Sequence, residues 1–400
     1  MSEIGIILII SLIIFSSPFV SKLTQLPTSV VEIISGTLFG AWGLLHHGPL
    51  FELVAEFGFL YLMFLAGLEV DLKKILSIES HTLKSGLLYI LSLYLLAFVI
   101  VKYMNFDTMF VAIFPLISVG LIAALKKEYG KESWLDLSIA IGSLGEVVSI
   151  AVLTIFSAAM EFGIGTKFYQ TLTILVIFLL LILGIFKLLQ VLFWWYPELK
   201  TTLMPKIDNE EQDIRLSMAL FFTFIAIMLY LHLEVAFGAF IAGIFIATFF
   251  EHKRSLPHKL SAFGFGFLVP IFFIYTGSSF KISALWMEGI LSGALLITAI
   301  MIFIRIVASL VFYKILPLGH RLLFALSHSM PLTLLVAIAT IALHSNVIDE
   351  TEYMAFILAS ILEVIVAMVL IRMMMRLQGK RLGSGHSLFG RVADNLWKPR

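Results

Sequence analysis

Long apolar stretches recur along almost the whole chain and are separated by short polar segments. Thirteen of them approach or exceed the roughly 20 mostly apolar residues that a helix needs to cross a membrane. Helices are favoured because lipid cannot hydrogen-bond an open backbone. The pattern predicts an all-α integral membrane protein of about 13 transmembrane helices, near residues 4–20, 28–46, 53–70, 83–103, 109–125, 135–160, 170–193, 215–231, 234–250, 260–279, 288–316, 320–344 and 352–377.

The composition supports this class and excludes others. Hydrophobic residues make up 60% of the chain and charged residues 13%, against about 25% charged residues in soluble domains. The chain has no cysteine, so disulfides, thiolate metal sites and a catalytic thiol are excluded. A net charge of +1 gives no reason to expect nucleic acid as a partner. Membrane lipids are the partners that the composition predicts.

The basic residues are distributed unevenly between the two predicted sides of the membrane. Of the 27 Lys and Arg residues, 22 fall on one side and three on the other, while Lys187 and Arg305 lie within spans. Short loops rich in Lys and Arg face the cytoplasm. The pattern therefore predicts a multi-pass protein of the inner (plasma) membrane, with the N-terminus outside and the C-terminus in the cytoplasm.

Two segments suggest an internal inverted repeat. Residues 144–152 and 361–369 each place a glutamate inside an aliphatic run. Each follows a predicted helix that small or helix-breaking residues interrupt: Pro115, Ser118 and Gly120 in the first case, and Ser327, Ser329 and Pro331 in the second. Six spans, a linking seventh and six more would form inverted copies, and paired broken helices are typical of a transporter site near the midplane. The alternative is chance similarity between apolar helices.

Four motifs, in order, resemble those of the monovalent cation:proton antiporter family two, which includes the Kef-type and NapA-type exchangers. They are Val31–Gly40, Phe64–Leu72, Phe237–Gly243 and Val269–Gly277, and the resemblance extends over residues 28–375. It implies an NhaA/NapA-like antiporter fold in which two broken helices cross. It also implies exchange of Na⁺ or K⁺ for H⁺, a homodimer, and no cofactor beyond the transported ions.

The resemblance also implies a division of the chain. Residues 1–380 would form the transmembrane antiporter domain, with a mobile core of helices at about 83–160 and 288–377. Helices at about 4–46 and 170–250 would form the dimerisation scaffold, and residues 381–400 a short basic cytoplasmic tail.

Glu146 is the candidate ion-binding carboxylate. The resemblance places the family's carboxylate at this position, although the preceding position, often acidic or an amide in the family, is Gly145 here. Ser143 and Ser149 lie near the same helical face and, with Ser118, supply oxygen atoms of the kind that hard cations prefer. Burial disfavours the charged carboxylate, so a proton and a metal ion (Na⁺ or K⁺) would compete for it. The alternative is a structural glutamate paired with Arg305.

Arg305 and Glu363 are the other charged groups predicted deep in the membrane. Arginine stays protonated, so Arg305 is interpreted as a fixed compensating charge whose partner is Glu363 or Glu146. The missing acid at Gly145 leads to the hypothesis of electroneutral exchange. Glu69, at a cytoplasmic helix end, fits either a solvated cap or an ion funnel.

The second predicted break contains His328, which titrates near neutrality. It fits either a pH-responsive gate or a histidine satisfied by neighbouring hydroxyl groups. The small or helix-breaking residues around the two breaks would expose backbone carbonyls where the broken helices cross, or else simply permit close helix packing: Ser118, Gly120, Ser327, Ser329 and Pro331.

Three other functions are alternatives to the exchanger. A sodium-coupled organic anion transporter would need basic groups around a larger cavity, and Arg305 is the only deep one. A Kef-like potassium efflux channel would not saturate or move protons in the opposite direction. Enzyme activity finds no support, because the zinc-protease helix motif and the nucleophile elbow are both absent from the sequence.

Overall fold

All regular secondary structure in the part of the chain that the structure describes is helical. A computed structural model describes residues 3–70, 79–163, 165–203, 210–250, 253, 255–280, 282, 289–344 and 348–377. The predicted tail at 381–400 lies outside them. The α-helices are α1 Glu3–Thr24, α2 Thr28–Ala41, α3 Pro49–Glu69, α4 Ser80–Met104, α5 Phe110–Ile113, α6 Gly120–Tyr129, α7 Ser133–Phe162, α8 Thr166–Trp195, α9 Pro197–Leu203, α10 Gln212–Leu231, α11 Val235–Phe249, α12 Leu256–Phe263, α13 Val269–Ser279, α14 Ile290–Ala308, α15 Leu318–His328, α16 Leu332–His344 and α17 Glu350–Leu377.

Ten helical segments in the described residues are long and apolar enough to cross a membrane, and α2 and α11 are shorter apolar helices. A π-helical turn at Gly264–Leu268 joins α12 to α13. Every predicted stretch coincides with a helix or a broken helix. The all-helical membrane architecture is therefore confirmed, while the count of thirteen spans and the inverted repeat remain predictions.

The helices pack in two groups. Helices α1–α3 and α10–α13 form one, which we call the scaffold group; within it α3 packs most extensively on α11, and α2 on α13. Helices α4–α7 and α14–α17 form the core group, in which α17 packs on α14 and α16, and α15 packs on α7. The predicted division left the spans near 53–70 and 260–279 unassigned, and both lie in the scaffold group. Helix α8 packs on α7 and also reaches α11, where the Phe186 and Phe249 ring centroids are 4.4 Å apart.

Glycines allow the helix backbones of the scaffold group to touch. A Cβ atom on Gly243 of α11 would overlap the backbone carbonyl of Phe64 on α3. Likewise, a Cβ atom on Gly277 of α13 would overlap the carbonyl of Ile33 on α2. The Thr37 hydroxyl also donates to the carbonyl of Gly277 at 3.0 Å. Close backbone approach of this kind holds α2 rigidly against α13.

Two broken helices cross inside the core group. The first consists of α5 and α6 with a non-helical break between them, and the second of α15 and α16, separated by residues 329–331. Pro331 accounts for the second break, since proline lacks the N–H group that a continuous helix requires. The crossing brings the Ser118 hydroxyl within 3.1 Å of the Thr333 hydroxyl.

Candidate functional site

Glu146 lies near the middle of α7, where the broken helices cross, and its residue exposure is only 2%. The Ser118 hydroxyl donates to Oε1 of Glu146 at 3.0 Å. The backbone N–H of Val119 donates to Oε2 at 3.4 Å. Both donors come from the break in the first broken helix, whose backbone is free to point at the carboxylate because the helix is interrupted there.

Thr333 extends this arrangement to the second broken helix. Because Ser118 donates its proton to Glu146, its oxygen is the acceptor for the Thr333 hydroxyl at 3.1 Å. A chain of hydrogen bonds thus runs from α16 through the first break to α7. Sequence reasoning missed Thr333, although its place just after Pro331 was a usable signal.

A cavity of about 540 Å³ reaches Glu146 from the end of the protein where α1 and α3 terminate. It lies between the scaffold and core groups. Its lining includes three carboxylates and, among the described residues, no Lys, Arg or His side chain. The polar lining residues are Ser21, Thr28, Ser29, Glu32, Glu69, Ser118, Glu146 and Thr333. Carboxyl and hydroxyl oxygens without a basic group among them are suited to a cation.

Glu69 and Glu32 complete the acidic lining. Glu69 ends α3, and its presence in the cavity favours the ion-funnel interpretation over a solvated cap. Glu32 lies on α2 and was not singled out from the sequence. Its burial depends on how α2 packs, which the sequence pattern does not reveal.

The serines on α7 do not contact the Glu146 carboxylate directly. The Ser143 hydroxyl donates to the carbonyl of Ile139 in its own helix at 2.9 Å. The Ser149 hydroxyl accepts the backbone N–H of Ile117 at 3.2 Å, so it caps the break next to Ser118. Their predicted role as ion ligands stays a prediction.

Arg305 is paired with Glu363. Its Nη1 atom lies 3.5 Å from Oε1 of Glu363, and the guanidinium also donates to the carbonyls of Met301 and Leu116. The alternative that pairs Glu146 with Arg305 is therefore wrong: the carboxylate of Glu146 is held by donors of the break, and Arg305 by Glu363. Since Leu116 belongs to the first break, Arg305 of α14 holds that break by a hydrogen bond, and it does so outside the cavity at Glu146.

The position of the missing acid is filled by a hydrocarbon group. A Cβ atom on Gly145 would meet the side chain of Ile117. Apolar packing from the first break therefore takes the place beside Glu146 where the resemblance leads us to expect an acid or amide.

The last residues of α15 and the first residue of the second break face the interior of the core group. His328 accepts from or donates to the Tyr89 hydroxyl through Nδ1 at 3.1 Å, and Nε2 donates to the carbonyl of Ser138 at 3.0 Å. The hydroxyl of Ser327 donates to Ser138 Oγ at 2.9 Å, and that of Ser329 donates to the carbonyl of Ala325 in α15 at 3.0 Å. None of these three residues lines the cavity at Glu146, which favours the interpretation of His328 as a satisfied buried histidine.

Gly120 and Pro331 mark where the helical segments resume. Gly120 begins α6 and lines the cavity, with open space where a Cβ atom would stand. The carbonyl of Pro331 accepts the N–H of Leu335 and so starts α16.

The sequence matches the family model described as "Sodium/hydrogen exchanger, transmembrane" over residues 7–377. The chain belongs to the sodium/hydrogen exchanger family. Exchangers are transporters, not enzymes, so the expectation of no enzymatic activity agrees with the family. The match supports the exchanger family as a whole and not the narrower resemblance to family two.

Several named antiporters are similar to this exchanger in sequence. It is 28% identical to "Probable Na(+)/H(+) antiporter 3" of Methanocaldococcus jannaschii over 70% of this chain and 72% of that protein. It is 28% identical to "Ammonium/H(+) antiporter subunit AmhT" of Alkalihalophilus pseudofirmus over 69% and 70%. It is 25% identical to "Putative Na(+)/H(+) antiporter YjbQ" of Bacillus subtilis over 90% of this chain and 61% of that protein.

The exchanger also shares its fold with a solved structure. The sodium proton antiporter MjNhaP1 of Methanocaldococcus jannaschii, determined at pH 8, superposes with a TM-score of 0.65 at 14% identity, covering 93% of this chain and 99% of that one.

Proposed function

We propose that this exchanger moves Na⁺ and H⁺ in opposite directions, with Glu146 binding one or the other. The observation that carries the proposal is the position of Glu146, a buried carboxylate at the inner end of an oxygen-lined cavity where both broken helices meet. The family and the named sodium/proton antiporters among its relatives support Na⁺ as the cation; K⁺ is the alternative.

The chemistry needs only one carboxylate and no cofactor. An isolated charged carboxylate is costly to hold in the membrane interior, so Glu146 crosses either protonated or with a bound cation. The hydroxyls of Ser118 and Thr333 supply further oxygen ligands, and Ser143 and Ser149 remain candidates on the same helix. Competition between H⁺ and Na⁺ for this single group couples the two fluxes.

Alternating access is supported by a second cavity. This cavity, of about 370 Å³, is lined by Glu52, Glu56, Tyr275 and Thr340 and lies at the other end of α3. At 1.5 Å per residue, Glu56 and Glu69 are about 20 Å apart along that helix. We infer that the core group, which carries Glu146, moves against the scaffold group and exposes the site to each cavity in turn.

We also infer the topology and assembly of the exchanger. Thirteen spans would form two inverted repeats, and the scaffold group would mediate a homodimer in the plasma membrane. With the N-terminus outside, the larger cavity opens to the cytoplasm.

We infer one-for-one, electroneutral exchange from the number of ionisable side chains that change sides during transport. Ile117 fills the place beside Gly145, and Arg305 is committed to Glu363. Among the described residues of the core group, Glu146 is then the only one that changes sides with a variable charge.

The geometry weakens the organic-anion alternative. Arg305, the deep cation that such a transporter would require, does not line the cavity. Transport measurements distinguish a potassium channel from an exchanger, because only an exchanger has a rate that saturates with cation concentration and couples its cation to protons.

The test uses purified protein in proteoliposomes loaded with a pH-sensitive dye. Addition of Na⁺ is expected to move protons with saturable kinetics, and the KM for Na⁺ is expected to rise as the pH falls, because H⁺ and Na⁺ compete. Glu146→Gln should abolish exchange, whereas Glu146→Asp, which keeps the carboxylate, should retain it. Parallel assays with K⁺ and NH₄⁺ define selectivity. Full exchange by Glu146→Gln would refute the assignment, and a Na⁺-driven current would refute electroneutrality.

A further inference from the structure

Glu32 is a buried acid that the mechanism above does not use. It lies on α2 with 4% exposure between the buried residues Val31 and Ile33. Nevertheless it lines the cavity that leads to Glu146. Among the residues that the structure describes, it has no hydrogen-bond or ion-pair partner, in contrast to Glu146 and Glu363.

A buried carboxylate in this situation needs a positive charge from outside the protein. Burial of a charged group without a partner is strongly unfavourable. The lining of the cavity offers no basic side chain within the described part of the chain. A cation or a proton from solution is therefore what Glu32 can bind.

The neighbouring groups favour a metal ion over a proton alone. Thr28 and Ser29 precede Glu32 by four and three residues, so the three side chains share one face of α2. All three line the cavity. The Thr28 hydroxyl donates to Ser21 Oγ at 3.4 Å, so its oxygen lone pairs remain available. One carboxylate and two hydroxyl oxygens form the kind of set that hard cations prefer.

We propose that Glu32, Ser29 and Thr28 form a second monovalent-cation site, which captures the transported ion before it reaches Glu146. This inference rests on the proposed exchange of Na⁺ for H⁺. Helix α2 is fixed to α13 by the Thr37–Gly277 hydrogen bond and the close approach at Ile33. Glu32 therefore stays with the scaffold group while Glu146 moves with the core group. The second site sets the affinity for Na⁺ that enters from the larger cavity and leaves the stoichiometry of exchange unchanged.

Transport kinetics test the site through the split between KM and Vmax. With Na⁺ presented to the larger cavity, Glu32→Gln should raise the KM for Na⁺ roughly tenfold, as expected for the loss of a charged ligand, and should leave Vmax within about twofold. Glu32→Asp should restore the KM substantially. Glu56→Gln, which changes an acid of the opposite cavity, should leave this KM unaltered. An unchanged KM in Glu32→Gln overturns the proposal, as does a loss of Vmax that Glu32→Asp fails to rescue.

Equilibrium binding of ²²Na⁺ to the purified chain separates this proposal from the function itself. The wild type should bind two ions, Glu146→Gln and Glu32→Gln one each, and the double variant none. Binding of one ion that disappears entirely in Glu146→Gln would overturn the second site and leave the exchange mechanism intact. Absence of both ²²Na⁺ binding and exchange in the wild type would instead refute the proposed function.

Discussion

Nη1 of Arg305 lies 3.5 Å from Oε1 of Glu363, and both side chains are completely enclosed within the core group. The guanidinium is further held by the carbonyls of Met301 and Leu116. The pair thus joins α14, α17 and the first break. Neither residue lines the cavity at Glu146.

We expect removal of either partner to be more damaging than removal of both. Arg305→Met or Glu363→Gln leaves one buried charge uncompensated, and such changes lower the free energy of unfolding by about 3–5 kcal/mol. The double variant Arg305→Met/Glu363→Leu should lose less than either single variant. Thermal unfolding in detergent, followed by tryptophan fluorescence, measures the differences. Lys187→Met, at an exposed lysine of α8, is the control, and single variants as stable as this control would contradict the role of the pair.

The hydroxyl groups around Glu146 should differ in their contribution to Na⁺ affinity. Ser118→Ala removes the donor that contacts Oε1 of Glu146 at 3.0 Å and disconnects Thr333. A lost hydrogen bond to a charged group corresponds to about 1.5–3 kcal/mol, so we expect the KM for Na⁺ to rise by about tenfold or more. Na⁺ titrations of exchange at constant pH measure this.

Ser143→Ala is the matched control for that change. Its hydroxyl is already bonded to the carbonyl of Ile139 within α7, so its loss should alter the KM by no more than about twofold. Equal effects of Ser118→Ala and Ser143→Ala would instead support the predicted role of Ser143 as an ion ligand. They would also show that the hydrogen bond from Ser143 to Ile139 is broken when the cation binds.

The sequence predicted those features that a single stretch of chain determines. Apolar length predicted the spans, because a helix is the stable form of such a stretch in lipid. Pro331 and Gly120 indicated the two breaks, and the lone acid in an aliphatic run indicated Glu146. Each of these signals is local and does not depend on how the neighbouring helices pack.

Features that depend on which helices meet were not predictable. Two glutamates were available to Arg305, and only the packing of α14 on α17 selects Glu363. The environment of Glu32 depends on the attachment of α2 to α13, so in the sequence its segment appeared only as one of the four motifs of the family resemblance. Thr333 becomes part of the site because the second break crosses the first at Ser118.

The contact between α3 and α11 should be sensitive to a single methyl group. Gly243→Ala would push a Cβ atom into the carbonyl of Phe64, and neither backbone can yield without moving a helix. Overpacking of this kind costs about 1–3 kcal/mol, so we expect a lower melting temperature in detergent. Gly184→Ala, on α8 with open space around it, is the control. It should be neutral or slightly stabilising, since alanine favours helix more than glycine does. Equal melting temperatures for the two variants would refute the close approach.

The orientation of the two cavities can be tested directly because the chain has no cysteine. Thr28 lines the larger cavity, and Thr340 lines the smaller one at the other end of α3. The distribution of Lys and Arg predicts that the larger cavity faces the cytoplasm. A membrane-impermeant maleimide should therefore label Thr28→Cys in inverted vesicles and Thr340→Cys in right-side-out vesicles.

The same pair of variants also reports on the transport cycle. If the core group moves to expose Glu146 to the opposite side, conditions that favour the outward-facing form should slow labelling of Thr28→Cys and accelerate labelling of Thr340→Cys. A Na⁺ gradient imposed in opposite directions on right-side-out and inverted vesicles supplies those conditions. A cysteine at the exposed position Leu181 on α8 reports whether the reagent reaches the lipid-facing surface. Labelling of both positions from one side would refute the predicted topology. Opposite sidedness that never responds to Na⁺ would leave the topology standing and would contradict alternating access.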